Sequence, residues 1–416
     1  MASAAEESHR NMTIVLCMIA SLFEGGDNIA LAVAAPKLSL DYGLAPYQIG
    51  VALSASLVGM MVGAPIGGRL ADRFGRKRVL IGAMIALGLF SLATVATRHF
   101  EPLVAMRFFA GAGLGGAFPI LIALASEISH PAHRARTISV VHSGQPLGAA
   151  MLSLTVALGS SGFDWRIIFW IGGLGPLAIA LMLSFFLSEP ESYRNAQKAF
   201  AHDRSAPTIA MTLFGEGRAA TTLALWSSCV FTLFVVYLLL SWVPSLMVAK
   251  GLTRPDAATA TMALHIGAAV GTVTSGMMAD RYDRRILIML LYLGFAVSLA
   301  VLAHFGTFGP LVFACGLVGF FMLACQLILY ASAAQAYPTL ARGTGVGATL
   351  AVGRFGGIAA PITAGALLST GYGASAVLAA AIPSVVLAAL CALTLVWLLP
   401  KRRVDTGVPA SVISAN

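Results

Sequence analysis

The chain has 416 residues, of which 58% are hydrophobic and 10% charged, against about 25% charged in a soluble globular protein. That composition excludes a water-soluble fold of this size, because so much apolar surface could not be hidden within it. A net charge of +9 would suit a polyanionic partner, but the placement of the basic residues points elsewhere.

The apolar residues fall into runs of about 20, the length an α-helix needs to cross about 30 Å of hydrocarbon. In chain order they predict twelve spans, near 13–35, 47–68, 79–97, 102–126, 137–158, 166–187, 219–248, 257–279, 286–304, 309–334, 343–369 and 374–399. The first follows Glu6, Glu7 and Arg10, is longer than a signal-peptide core and embeds an acidic pair, so it reads as a retained helix. With the N-terminus inside, nineteen of the 26 Lys and Arg are cytoplasmic; Lys37, Arg98, Arg166, Lys250 and Arg254 are outside, and Arg107 and Arg354 lie within spans. This asymmetry places both termini in the cytoplasm. The net charge therefore reports orientation, and no nucleic-acid partner is implied. Cys17, Cys229, Cys315, Cys325 and Cys391 all fall inside spans without metal-ligand spacing, as small packing residues do.

Residues 188–218 form the one long polar interruption, dividing the chain into 1–187, a linker and 219–416. An internal repeat supports the division. GRLADRFGRKR at 68–78 returns as GMMADRYDRRI at 276–286, an offset of 208 that also relates Arg134 to Arg342 and Glu127 to Gln335. Such parallel repeats are a known transporter plan.

Candidate chemistry lies inside the spans. Glu24 and Asp27 are three residues apart on one helical face, and an acid within a membrane span is a functional candidate by default. Asp27 falls roughly 21 Å from the cytoplasmic face, and Arg107 and Arg354 come out at similar depth. Two acids and two bases thus share a central layer, where such folds bind substrate and coupling ion; a purely structural salt-bridge cluster is the competing account. Tyr237, Trp242, His265, Gln326 and Tyr330 in the second half, with His142 and Gln145 in the first, are polar or aromatic residues in apolar spans. Together they suit a pocket for an aromatic ring, although each singly is as consistent with packing. The glycines of 111–116, Gly144, Gly148 and 343–357 read as helix contacts.

GRLADRFGRKR resembles the signature loop between helices 2 and 3 of the major facilitator superfamily, with its weaker copy between helices 8 and 9. Glu24-Gly25-Gly26-Asp27, RFFAGAGLGGAFP at 107–119, YPTLARGTGVG at 337–347 and GRFGGIAAP at 353–361 resemble the aromatic acid:proton symporters, nearest to the transporters of hydroxyphenylpropionates. Glu24 departs from the Asp that many members carry there. The resemblance implies an all-α membrane protein of twelve transmembrane helices in two pseudo-symmetric six-helix bundles, in the bacterial inner membrane. It implies symport of a small aromatic carboxylate with protons, and a coupling role for Arg107, with Glu24 or Asp27 taking the proton and neither assigned it alone. Arg354 is then the first candidate for the carboxylate and Arg107 the second. Asp72, Arg76, Glu127 and Arg342 become a cytoplasmic charge relay, with Asp280 and Arg284 a weaker latch because Gln335 replaces an acid.

There is no GxxxxGKS/T, HExxH, CxxC or GxSxG, so ATP drive, metalloprotease and hydrolase chemistry have no support. No enzyme activity, cofactor, metal or obligate protein partner is implied beyond substrate, protons and bilayer. A drug exporter of the same fold is disfavoured by Arg354 at mid-depth, and a membrane sensor by the short tails.

Overall fold

Within hydrocarbon, backbone N–H and C=O groups have no water to pair with, so apolar runs become helices that satisfy them internally. The computed structural model describes residues 4–128, 134–159, 164–187, 213–215, 217–337 and 342–398. Most of the linker, and the side chains of Asp72, Glu127, Arg134, Arg136, Asp280, Gln335 and Arg342, lie outside the described residues.

All regular structure among the described residues is helical: α1 (Ala4–Tyr42), α2 (Pro46–Phe74), α3 (Arg76–Ala96), α4 (Phe100–Glu127), α5 (Arg134–Ala157) and α6 (Arg166–Phe186) precede the linker. Following it are α7 (Ala219–Ala249), α8 (Arg254–Arg281), α9 (Arg284–His304), α10 (Phe308–Ala336), α11 (Arg342–Ser369) and α12, in two pieces, Ala374–Ala380 and Ile382–Leu398. Among the described residues, eleven are long and apolar enough to cross a membrane; α5 carries His142 and Gln145 in its middle. The turn after Tyr42 and the start of α3 at Arg76 mark opposite ends of the bundle, called here the Tyr42 face and the Arg76 face.

Two boundaries differ from the sequence reading. Helix α1 has 39 residues and runs well past its apolar core, its far end supported by an i,i+4 pair between Lys37 and Asp41 at 3.0 Å. The last span, predicted as continuous over 374–399, is interrupted at Ala381. Pro383 has no N–H to offer the carbonyl of Ala379, and its ring excludes that carbonyl from an ordinary helical position.

The offset of 208 governs the packing. Within the first half α2 lies on α4, α1 on α5 and α3 on α6; within the second, α8 lies on α10, α7 on α11 and α9 on α12. The contacts match residue for residue. Gly59 and Gly63 leave no room for a Cβ against the carbonyls of Phe108 and Ala112, and Gly267 and Gly271 meet Gly316 and Phe320 in the same way. Likewise Gly148 abuts the Leu22 carbonyl, and Gly356 that of Val230. Missing side chains let helix backbones touch, which is how membrane helices gain dispersion without a hydrophobic drive.

Between the halves, α2 meets α11 and α5 meets α8. Near the Tyr42 face Gly50 and Gly365 bring α2 and α11 into backbone contact with Pro361 and Pro46, and the Tyr47 N–H donates to Ser369 Oγ at 3.0 Å. Deeper in, Ser54 Oγ donates to the Ile358 carbonyl at 2.8 Å.

The glycine contacts make a direct prediction. Gly148→Ala should destabilise the detergent-solubilised protein by about 1–3 kcal/mol through overpacking of α5 on α1. Gly82→Ala, where an added Cβ meets nothing within 4 Å, should leave the thermal midpoint in place. Equal midpoints for both variants would contradict the contact.

Candidate functional site

The two acids of α1, expected to act from one helical face, engage different neighbours. Asp27 faces α3 and α4. It accepts from Ser91 Oγ at 2.6 Å and from Arg107 Nη1 at 3.3 and 3.4 Å. Arg107 in turn donates through Nε and Nη2 to Thr94 Oγ1, at 3.2 and 3.0 Å, and its guanidinium lies 4.9 Å from the centroid of the Phe169 ring. Residue exposures are 1% for Arg107 and 6% for Asp27. The pair is thus neutral overall, hydrogen-bonded and closed off, and Arg107, the second carboxylate candidate, faces this network.

Glu24 is fully buried and faces α5. Its Oε2 accepts one long bond from Gln145 Nε2, at 3.5 Å, while Oε1 has no partner. Burying a carboxylate without a cation or full hydrogen bonding costs several kcal/mol, so Glu24 is the group whose charge the site supports least. Gly25, next along the helix, packs directly on the Gln145 backbone, which fixes the α1–α5 spacing at this level.

A cavity of ≈ 410 Å³ opens beside these residues between the halves. Asn28, His142, Gln145 and His265 supply its polar lining, and Leu240 and Leu323 close it from α7 and α10. His142 Nδ1 and His265 Nε2 are buried without hydrogen-bond partners. Sequence reasoning named both histidines and Gln145. It missed Asn28, whose signal was a polar residue inside an apolar run.

A second cluster lies one helical turn toward the Arg76 face, about 5 Å, at Tyr237 on α7 and Gln326 on α10. Gln326 Nε2 donates to Tyr330 Oη at 2.7 Å. Arg354 of α11 is close enough to act electrostatically on both the Tyr237 and Tyr330 phenols, and Gly357 lets α11 approach the Tyr237 ring. Trp242 is instead a packing residue, its Nε1 donating to the Pro361 carbonyl at 3.1 Å. Of the gate candidates, Arg76 and Arg284 begin α3 and α9; Asp72, Glu127, Asp280 and Arg342 lie in the undescribed side-chain set.

The repeat offers an internal control. Moving 208 residues on from Asp27, Ser91, Thr94, Arg107 and Phe169 gives Val235, Leu299, Leu302, Cys315 and Val377, all fully buried in the apolar core of the second half. The same helix geometry is therefore filled by hydrocarbon in one half and by an ion pair in the other. Ser91, Thr94 and Phe169 were not singled out from sequence; Ser91 and Thr94 stood three apart in an apolar run.

Duplicated six-helix bundles of membrane-spanning length with a charged layer at mid-depth have the build of a membrane transporter. The chain matches the Major Facilitator Superfamily over residues 17–273 and 225–413, and it belongs to that superfamily. It is 38% identical over 400 residues, 96% of each chain, to the 3-(3-hydroxy-phenyl)propionate transporter of Escherichia coli strain K12. Identity is 33% over 394 residues, 88% of each chain, with the 4-hydroxybenzoate transporter PcaK of Pseudomonas aeruginosa. With the gallate transporter of Pseudomonas putida it is 34% over 389 residues, 87% of this chain and 86% of the relative. The fold is that of a crystallised D-xylose-proton symporter, with a TM-score of 0.76 at 17% identity over 93% of this chain and 97% of that one. An inward-facing bacterial homologue of the human lysosomal transporter Spinster gives 0.72 at 18% identity, over 95% and 99%.

The apolar counterpart in the second half makes the energetics of the pair testable. Arg107→Met alone leaves Asp27 buried and uncompensated and should cost about 3–5 kcal/mol, whereas the double variant Asp27→Val/Arg107→Met should recover most of that loss. Thermal midpoints of the purified variants check this, and a double variant as unstable as the single one would refute it.

Proposed function

We propose that the protein imports a small aromatic carboxylate of the hydroxyphenylpropionate, hydroxybenzoate or benzoate type, together with protons, across the bacterial inner membrane. Residues 1–187 and 219–416 act as two rocking halves joined by the 188–218 linker, with the Arg76 face and both termini cytoplasmic. The observation that carries this reading is the cavity between the halves, at whose level Glu24 Oε1, His142 Nδ1 and His265 Nε2 are buried without partners. Its support in kind comes from the relatives, whose names specify aromatic acids.

In this mechanism the carboxylate is held at Arg354, beside Tyr237 and Tyr330, and the ring extends into the cavity toward His142, Gln145 and His265. An anion entering an inside-negative cell climbs about 2.3 kcal/mol per charge per 100 mV, so at least one proton must enter with it. Glu24 carries that proton. It has no cation beside it, and Gln145, its one hydrogen-bond donor, also lines the cavity, so substrate and proton act on the same side chain. The Asp27–Arg107 pair orients α1 against α4 and supports coupling, since the matching apolar contact in the second half would hold the helices without it. At the Arg76 face, Asp72, Arg76, Glu127 and Arg342 close the cytoplasmic side, with Asp280 and Arg284 as the weaker latch.

Uptake of labelled 3-(3-hydroxyphenyl)propionate and 4-hydroxybenzoate into proteoliposomes, with and without an imposed pH gradient, tests the function. Accumulation is expected only with the gradient, and gradient-independent accumulation would remove proton coupling from the mechanism. Glu24→Gln should lose accumulation while retaining exchange of internal for external substrate. Arg354→Lys keeps the charge but loses the planar two-pronged grip on a carboxylate, and binding should weaken by about tenfold or more.

A further inference from the structure

Toward the Tyr42 face, the helices that line the central cavity frame a second, partly open one. Its walls are apolar and include Val33, Val156, Trp165 and Pro244, and its two charged residues are both cationic: Lys37 of α1 and Arg254 of α8. Resting on the aromatic-acid reading above, we propose that this outer cavity is a second, weaker binding site for the same aromatic carboxylate. The carboxylate lies between Lys37 and Arg254, and the ring against Trp165 and Pro244.

The chemistry of the lining selects this ligand. Lys37 and Arg254, with Asp41 beside the lysine as the one acid, leave the lining net cationic and unfavourable to a cationic solute, and the apolar walls offer nothing to a small inorganic anion beyond its charge. An anion with a flat apolar body satisfies both. Lys37 is already held by Asp41 at 3.0 Å, and Asp41 also accepts from Trp165 Nε1 at 2.9 Å, so the lysine and the indole are fixed relative to one another. No carboxylate among the described residues is ion-paired with Arg254, which leaves its guanidinium available for a bidentate grip.

Position gives the site its role. Both cavities are lined by α1, α5, α7 and α8. Along α1 they are separated from Ile29 to Val33, about 6 Å, and along α8 from Ala258 to His265, about 10 Å. A substrate held in the outer cavity is one or two helical turns from the inner one. Because Lys37 and Arg254 belong to opposite halves, the outer site is a vestibule whose two cations part when the halves separate at this face. It raises the local concentration of an anion at the entrance, as a cationic cleft with low-dielectric walls does.

The test is equilibrium binding of labelled 3-(3-hydroxyphenyl)propionate to the full-length protein in nanodiscs, beside uptake kinetics in proteoliposomes. Wild type should show a tighter class and a weaker class of site, the weaker one fading as salt is raised. Arg254→Gln should remove the weaker class and raise KM for uptake by roughly three- to tenfold, with the maximal rate held within about twofold. Lys37→Gln should behave alike, and it serves as the second reading if the first variant folds poorly. Arg354→Ala should do the reverse, removing the tighter class and transport while sparing the weaker class. A single class of site in wild type with an unchanged KM in Arg254→Gln would overturn the vestibule and leave the transport reading intact. A fall in maximal rate at constant KM would also overturn it, since Arg254 would then be a gate contact. No binding to any variant would remove both readings together.

Discussion

A buried charge in hydrocarbon must be paired, protonated or placed beside water, and the arrangement of this protein follows from where it accepts that cost. Most of both halves avoids it. The exposed large residues within the described spans are mostly apolar, and several close helix crossings are made by glycine. Among the described residues, exceptions include the mid-depth layer of Glu24, Asp27, Arg107 and Arg354 and the outer rim of Lys37, Asp41 and Arg254, while Arg76 and Arg284 begin helices at the Arg76 face. Between them they use each available solution. Asp27 is paired with Arg107, Glu24 stands without a cation, and Arg254 reaches toward an open cavity.

The duplicated chain turns this into a controlled comparison. One set of helix crossings is occupied by Asp27, Arg107, Ser91 and Thr94 in the first half and by Val235, Cys315, Leu299 and Leu302 in the second. Replacing a buried ion pair by well-packed hydrocarbon is often neutral or stabilising, and the second half shows that this fold accommodates it. Stability alone would be served as well by the apolar version, and the coupling role proposed for the charged layer is one account of why the first half keeps it. The second half has its own polar cluster, Arg354 with Tyr237, Gln326 and Tyr330, whose counterparts 208 residues earlier are Pro146, Ile29, Phe118 and Ile122. The proposed division of labour, proton handling in one half and carboxylate binding in the other, follows this complementary asymmetry.

Much of the architecture was legible in the sequence because the physics that writes it is one-dimensional. Span length, hydropathy and the 208-residue offset need no knowledge of neighbours, and they located the twelve helices to within a few residues apart from the extended α1. The break at Ala381 escaped because a single Pro383 interrupts an apolar run without changing its hydropathy. The site was legible as a set of residues but not as a set of partnerships. Spacing put Glu24 and Asp27 on one face, yet the 60° between them suffices to send one to Gln145 and the other to Arg107 and Ser91. Arg107 stood in the sequence as a coupling residue and second candidate for the carboxylate, and nothing in the linear order links it to Thr94 or Phe169. Which cavity His142 and His265 would share depended on how α5 meets α8, a fact of packing that no local pattern encodes.

The glycine contact where α2 meets α11 has a thermodynamic consequence. Where Gly50 and Gly365 meet the backbones of Pro361 and Pro46 the contact is backbone on backbone, so closing those two contacts freezes no glycine rotamers and opening them frees none. Long aliphatic residues at the same place would charge each transport cycle their conformational entropy, in one direction or the other. With that contribution small at these contacts, more of the free-energy difference between open and closed forms at this face falls to the polar groups nearby, such as the Tyr47–Ser369 and Ser54–Ile358 hydrogen bonds.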